Sequence, residues 1–258
     1  MGDTAELLDS FWGMRGCDLR PLGGGINSDT WLVEHQGSTY VAKRVSATGI
    51  DDLVAGCDVA AALAEAGFLS GPPVPTSDGR LVLTEHAMAL LEYVPGRELD
   101  GETDQEQRWI ASTLAAVHRA GDPAEGPSAA TFMTDWLSPE LTGVRAHPWL
   151  VRAIETVRAE TDPMNLTWTV LHTDPSPEEF LHNDSTGVTG LVDWAGAKRG
   201  PVLYDVASAV MYVGQDEHVV AAYLAGLPEL SPEIRSGLPA FLGFRHAVQA
   251  AYFAWRLA

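Results

Sequence analysis

The sequence predicts an α+β fold in two lobes, a small strand-rich lobe in front and a larger, mainly helical one behind. Three features predict it. Short β-type runs alternate with turns before residue 95, amphipathic helical spacing begins at Asp104, and Pro95-Gly96 breaks the pattern between them. In the front part, Thr30 to Val33 and Thr39 to Ala42 are apolar runs separated by the turn-like His35-Gln36-Gly37-Ser38. A helix starts at about Asp51, where the acidic pair Asp51-Asp52 suits the positive end of the helix, and stops near Gly67. Arg80 to Thr84 and Ala87 to Val94 read as two further strands. The connections between these strands are mostly too short for crossover helices, so the sheet should be mainly antiparallel. Behind the break, Trp109, Ile110, Thr113, Leu114 and Val117 recur at three- and four-residue spacings, as one helical face does. A loop rich in Gly, Pro and Ala covers Gly121 to Ser128. Further helices are expected over Pro148 to Glu160, Leu203 to Tyr212, His218 to Ala225 and Pro232 to Leu257. Short strands are expected over Thr167 to Leu171 and Gly190 to Asp193, around the turn Asn183 to Gly187. The expected domains are therefore residues 1–95 and 96–258.

The 258 residues suffice for a substantial core, and 46% hydrophobic with 20% charged residues is ordinary for a globular enzyme. No apolar run reaches the length of a membrane span, and the N-terminus lacks the basic-then-apolar pattern of a secretory signal. Cys17 and Cys57 are far apart and out of metal-ligand spacing, so both read as reduced thiols of a cytoplasmic protein. The formal charge is −19, from 35 acidic and 16 basic residues. That argues against nucleic-acid binding, which needs basic surface to neutralise phosphates. It is compatible either with simple solubility or with steering of a cationic partner.

The chemistry concentrates in His172-Thr173-Asp174-Pro175-Ser176-Pro177-Glu178-Glu179 and in Gly190-Leu191-Val192-Asp193-Trp194. An Asp after a short strand, an acidic residue five positions on, then a hairpin ending in a second Asp is an economical layout for phosphoryl transfer. One carboxylate receives or orients a hydroxyl, while the others hold Mg²⁺ on nucleotide phosphates. An oxygen-only donor set suits Mg²⁺ better than zinc.

This segment resembles the aminoglycoside phosphotransferase and choline-kinase-like family, which has the protein-kinase-like fold. The family pattern is H-G-D-x-x-x-x-N, a hairpin, I-D-W or V-D-W, then G-P-x-x-Y-D-x-A. Here it is matched by His172, Asp174, Val192-Asp193-Trp194 and Gly200-Pro201-Val202-Leu203-Tyr204-Asp205-Val206-Ala207. The resemblance implies that Asp174 is the catalytic base or hydroxyl-orienting residue, Asp193 the main metal ligand and Asp205 a structural brace of the catalytic loop. It makes the front lobe nucleotide-binding and the back lobe catalytic and acceptor-binding. Two positions depart from the pattern. Thr173 replaces the family's Gly, which asks for a backbone geometry that a β-branched residue tolerates. Glu179 replaces the Asn, adding charge and length, and would ligate Mg²⁺ directly or through water. Asn183 offers an amide nearby, but it sits where Asn is a good turn residue.

On the nucleotide side, Leu22-Gly23-Gly24-Gly25-Ile26-Asn27-Ser28 precedes a strand, and Gly24, Gly25, Asn27 and Ser28 are candidates for phosphate contact. On glycines alone a plain hairpin-entry loop serves as well. Lys43 follows within an apolar strand pattern, where the resemblance places the phosphate-binding lysine. Its acidic partner is expected on the next helix, with Asp58 chosen and Glu65 the alternative. The segment Leu91 to Gly96, with Glu92 and Val94, resembles the connector whose backbone binds the adenine or guanine edge. His118 reads as structural, capping the end of its helix, and His172 as a loop brace. Trp136 and Trp194 are candidates for lining the acceptor pocket. Asp135, Asp216, Glu217, Glu229 and Glu233 are candidates for attracting an amine.

The expectation is an ATP- or GTP- and Mg²⁺-dependent O-phosphotransferase acting on a hydroxyl of a small cationic molecule. An aminoglycoside or basic peptide antibiotic fits, making the protein a resistance enzyme without nucleic-acid or membrane partners. The alternatives are a metabolite kinase for choline, homoserine or a sugar, and a non-catalytic nucleotide-binding pseudokinase suggested by Glu179.

Overall fold

The computed structural model describes residues 2–23, 28–134, 136–138, 140–214 and 216–257. It divides into two compact units, Met1–Glu98 with Leu181–Ala197, and Leu99–Phe180 with Lys198–Ala258. The expected boundary after residue 95 is a single cut along the chain, whereas these units interleave. A later hairpin belongs with the first unit.

The first unit is built on an antiparallel sheet ordered β1 (Asp18–Leu22), β2 (Ser28–His35), β3 (Ser38–Val45) and β4 (Met88–Glu92). The period of two along β3 decides what each face carries. Ala42 joins Val33, Met88 and Leu90 in a core that Leu7 and Leu8 of helix α1 (Gly2–Trp12) complete. Val45 and Ala89 face the other way, where Leu53 and Cys57 of helix α2 (Ile50–Glu65) cover them. Lys43 pairs with Ala89 in register and is two residues from Val45, so it lies on the α2 face. The expected strand over residues 80–84 is absent. The backbone of Arg80 is instead tied to Thr76 in a tight turn, and only Leu83 makes a bridge, to Met88. A second sheet of this unit orders β5 (Arg97–Glu98), β8 (Phe180–Asn183) and β9 (Val188–Leu191). Asn183 closes the β8–β9 turn as expected, its Oδ1 accepting from the amides of Ser185 and Thr186.

In the second unit, α3 (Asp104–Ala120) opens with a capping box. The Thr103 hydroxyl accepts from the Glu106 amide, and the buried Glu106 carboxylate accepts from the amides of Asp100 and Gly101. A sheet ordered β10 (Lys198–Pro201), β7 (Thr167–Leu171) and β6 (Ala124–Glu125) lies among α4 (Thr142–Arg145), α5 (Pro148–Thr161), α6 (Val202–Val213), α7 (Asp216–Gly226) and α8 (Ser231–Arg256). Helix α8 packs on α5 and α6, and α7 on α3. Phe132, Tyr204, Phe241 and Phe244 form the aromatic centre, with ring centroids 5.0 Å apart for Phe132 and Tyr204. Among the described residues, no helix is long and apolar enough to cross a membrane.

Two stability predictions follow from this packing. A Cβ at Gly56 of α2 would lie 2.5 Å from the Trp194 carbonyl oxygen. Gly56→Ala gains about 1 kcal/mol of helix propensity but forces a backbone shift costing roughly 1–3 kcal/mol. The clash should win or at best be balanced, and thermal melting should show no rise in Tm. The second concerns Glu233, whose carboxylate bonds the Thr167 amide at 3.0 Å and the Thr167 hydroxyl at 2.7 Å. Burial raises its pKa, the Thr167 bonds opposing. A carboxyl raised on folding binds more protons in the folded state, so stability falls as pH rises through the folded pKa. Glu233→Gln keeps both partners and should remove that part of the slope in melting curves taken across mildly acidic pH.

Candidate active site

In the second unit, everything turns on the loop leaving β7. Asp205, in the first turn of α6, is fully buried, and its carboxylate must be satisfied by protein groups. It accepts from the His172 amide at 2.7 Å and from the Thr173 amide at 2.9 Å, which is the bracing geometry expected of it. His118 Nε2 lies 3.2 Å from the same carboxylate, and its Nδ1 lies 2.8 Å from the Tyr223 hydroxyl. A carboxylate only accepts, so Nε2 donates; in the neutral tautomer Nδ1 then accepts from Tyr223. Burial above all pushes the Tyr223 phenol far up, keeping it a donor. His118 is thus structural, but it does not cap its helix as expected. It joins α3 and α7 to the brace.

The backbone at Thr173 corrects a second expectation. Its φ is +74°, in the left-handed region where a β-branched side chain is strained. The family's Gly suits that conformation; Thr173 is held in it by the Asp205 bond to its amide. Asp174 follows with its side chain 65% exposed. Its Oδ1 accepts from Arg245 Nη2 of α8 at 2.7 Å and from the Tyr212 hydroxyl of α6. Arg245 is buried, donates from Nε to the Ser208 hydroxyl at 3.0 Å, and sits 5.8 Å from the ring centroids of both Tyr204 and Tyr212. Burial works against its charge, but Tyr204, Tyr212 and Asp174 together outweigh it and hold the guanidinium above its ordinary pKa. The Tyr212 phenol is raised as well, first by burial and then by its bond to Asp174. Glu179 ends the short turn Pro177–Glu179 and is half-buried, while Glu178 is exposed.

Neither Arg245 nor Tyr212 was among the candidates from sequence. A signal existed for the first: Phe241, Phe244, Arg245 and Val248 share one buried helical face, and a lone cation on such a stripe needs a partner. Glu233 and Trp194 take structural places instead of acceptor ones. Glu233 is committed to Thr167, and the buried Trp194 indole donates to the carbonyls of Ser70 and Leu191 at 3.0 and 3.1 Å. Trp136 packs edge-on to Tyr252 and Trp255.

In the first unit, Lys43 is buried and its Nζ lies 2.5 Å from Asp193 Oδ1. This corrects the pairing expected with Asp58. The inward face of α2 carries Leu53, Gly56, Cys57, Ala60 and Leu63, and Asp58, next to Cys57, is turned to solvent, as is Glu65. The Cys57 thiol is pushed up to about 12 by burial, Asp58 adding and Lys43 opposing, so it stays protonated. Asp193 itself has φ +63°, a conformation Asp tolerates, at the entry to the turn Trp194–Gly196. Along the connector, Glu92 is exposed and its amide donates to the Pro72 carbonyl at 2.9 Å. Val94 is buried, and among the described residues its amide makes no hydrogen bond. Ser28 starts β2 opposite Val45. Gly24, Gly25, Asn27 and Asp135 lie outside the described residues.

Among the described residues no three His, Cys, Asp or Glu side chains cluster as a metal site; the Asp193 carboxylate, 40% exposed, is a hard oxygen donor and already takes a cationic group from Lys43. That chemistry fits Mg²⁺.

Residues 18–235 match the phosphotransferase enzyme family, APH. The chain belongs to that family. A curated relative, homoserine kinase from Rhizobium meliloti (strain 1021), is 28% identical over 201 residues, 72% of this chain. The matched region spans only 60% of that relative's length. Among solved structures, a microcompartment-associated aminopropanol kinase is 20% identical with a TM-score of 0.75, covering 98% of this chain and 89% of that one. A thermostable mutant of aminoglycoside phosphotransferase APH(4)-Ia, in ternary complex with AMP-PNP and hygromycin B, is 17% identical with a TM-score of 0.66. It covers 99% of this chain and 96% of the other. At these identities the structures establish the protein-kinase-like fold.

The strain at Thr173 is testable. Relief of a left-handed β-branched residue is worth roughly 1–2 kcal/mol, against about 0.5–1 kcal/mol lost to glycine's unfolded-state freedom. Thr173→Gly should therefore melt at an equal or slightly higher temperature, with the Asp205 bonds intact.

Proposed function

We propose that the protein transfers the γ-phosphoryl group of ATP or GTP to a hydroxyl of a small amine-bearing molecule. The observation that carries this reading is Asp174: an exposed carboxylate on a loop locked from beneath by buried Asp205. A hydroxyl-orienting group needs both accessibility and a fixed direction. With Oδ1 engaged by Arg245 and Tyr212, Oδ2 is the oxygen left to accept the acceptor's hydroxyl proton. Lys43 steadies the nucleotide phosphates. Asp193 and Glu179 would hold Mg²⁺, which would supply charge neutralisation at the phosphates. Val94, whose amide makes no hydrogen bond among the described residues, and Gly24, Gly25, Asn27 and Ser28 serve the nucleotide, and Glu92 flanks the base.

The acceptor class first suggested by the net charge is a cationic antibiotic, an aminoglycoside or basic peptide. A metabolite kinase for choline, homoserine or a sugar is the second reading. The likeness to homoserine kinase over most of this chain favours it. Both are settled by one screen: ADP or GDP release with Mg²⁺ across antibiotics, amino alcohols and hydroxylated amino acids. Growth protection on expression checks the resistance reading. Asp174→Asn should cut kcat about 10²–10⁴-fold, the usual scale for a lost acid–base group, with Tm and nucleotide affinity little changed. Saturable nucleotide binding without transfer to any acceptor would instead identify a pseudokinase. Glu179→Ala should raise the Mg²⁺ concentration needed for half-maximal rate. No change in Mg²⁺ dependence would remove Glu179 from the metal site.

A further inference from the structure

A guanidinium has five N–H donors in one plane. In Arg245, Nε donates to Ser208, and the two on Nη2 serve Asp174 and Tyr212, at 2.7 and 3.1 Å for the latter pair. That leaves the two on Nη1, for which no partner exists among the described residues. The residue is 5% exposed, and Nη1 is not fully sealed from solvent. Asp174, which shares this guanidinium, is 65% exposed. The rings of Tyr204 and Tyr212 flank the guanidinium and the Ser208 bond fixes its rotation. A buried cation with two donors free beside an exposed carboxylate is a costly arrangement unless an acceptor group arrives to use them.

We propose that Arg245 is a specificity-determining residue of the acceptor site, its Nη1 binding a carboxylate of the acceptor while Asp174 Oδ2 takes its hydroxyl. The inference rests on the phosphotransfer reading above and narrows its acceptor to a small hydroxylated amino acid. Asp174 is bonded at 2.7 Å to Nη2 of the same guanidinium that carries Nη1, so the hydroxyl and the carboxylate they grip must be only a few bonds apart. Bidentate or paired N–H to carboxylate contacts of this kind are both strong and directional. A polycationic antibiotic offers Nη1 only neutral hydroxyl and ether oxygens in place of a carboxylate, and its ammonium groups would be repelled by a buried guanidinium. The amino group of an amino acid, by contrast, still benefits from the chain's −19 charge during encounter. In the transfer, the acceptor oxygen bonds to the γ-phosphorus as the bond to the β,γ-bridging oxygen breaks. The nucleoside diphosphate leaves, and the hydroxyl proton passes to Asp174 and on to solvent.

The test uses acceptors that differ only in the carboxylate: L-homoserine against 3-amino-1-propanol, L-threonine against 1-amino-2-propanol, and L-serine against ethanolamine. With the full chain, ADP release gives kcat/KM for each. The expected result is a preference of about tenfold or more for the amino acid in at least one pair, the scale of one good polar contact. In Arg245→Gln that ratio should fall toward unity, mainly through the KM of the amino acid, with the KM of ATP unchanged. Because Arg245 also touches Asp174, its loss lowers both rates; the ratio separates recognition from positioning. Arg245→Lys, which keeps the charge, gives a second reading if the Gln variant melts early, and the wild-type pairs need no variant. Equal or better transfer to the amino alcohols or to aminoglycosides overturns the carboxylate assignment and leaves the phosphotransferase reading standing. A ratio unmoved in both variants does the same, reducing Arg245 to a brace. No transfer to any acceptor overturns both.

Discussion

The second unit is organised by one buried charge that cannot be left alone. Asp205 has no exposure to water, so every hydrogen bond its carboxylate forms has to come from the protein. It takes the amides of His172 and Thr173 together with the His118 imidazole, and each bond has a consequence elsewhere. The two amides fix the direction of the chain at the step before Asp174. The Thr173 amide is reached only with a left-handed φ, and the strain of a threonine there is tolerable because a charge-assisted bond opposes it. The imidazole passes the constraint to Tyr223, so α3, α6, α7 and the β7 loop are held by one chain of polar groups inside an apolar core.

The first unit solves a different problem, that of keeping an ammonium on an apolar sheet face. Alternation along β3 puts Lys43 under α2, and the helix face it meets offers small and apolar side chains, with the carboxylates at 58 and 65 turned away. The compensating charge comes instead from Asp193, after β9. Gly56 is what lets this happen. With no side chain at that position, α2 closes onto the backbone of Trp194, one residue beyond Asp193. Trp194 is in turn anchored through its indole to Ser70 and Leu191. Thus a helix without an inward carboxylate is matched by a lysine that pairs across the unit with Asp193.

Much of this was legible in the sequence. Helical and strand periodicities placed α2, α3, α5, α6, α7, α8 and β7 within a few residues, because each spans enough of its period to be distinctive. Strands of two to four residues, such as β5, β6 and β10, carry too little pattern, and α1 was read only for what it was not. The Arg80 to Thr84 run looked like a strand because hydrophobicity cannot see that Thr76 ties up the Arg80 backbone. The ordered motif from Leu171 to Ala207 singles out Asp174, Asp193 and Asp205, and of these Asp205 has the bracing contacts that the motif implies. The partners of those carboxylates were not legible, since they come from far along the chain: Lys43 reaches Asp193 across 150 residues and Arg245 reaches Asp174 across 71. The helical phase argues against Asp58 as the partner of Lys43, since position 57 points inward and position 58 does not.

The same distinction between global and local quantities governs how the charge should be understood. A net charge of −19 sets a long-range field that concentrates cations near the molecule, and that field is screened within about 10 Å at ordinary salt. What a bound acceptor meets is local. Beside Asp174 the local charge is a buried guanidinium stacked by two tyrosines, which cancels that carboxylate and still has donors to offer. An acidic composition therefore does not by itself imply a polycationic substrate. A zwitterionic acceptor, as proposed for Arg245, would satisfy both scales at once, its ammonium with the distant field and its carboxylate with the buried guanidinium.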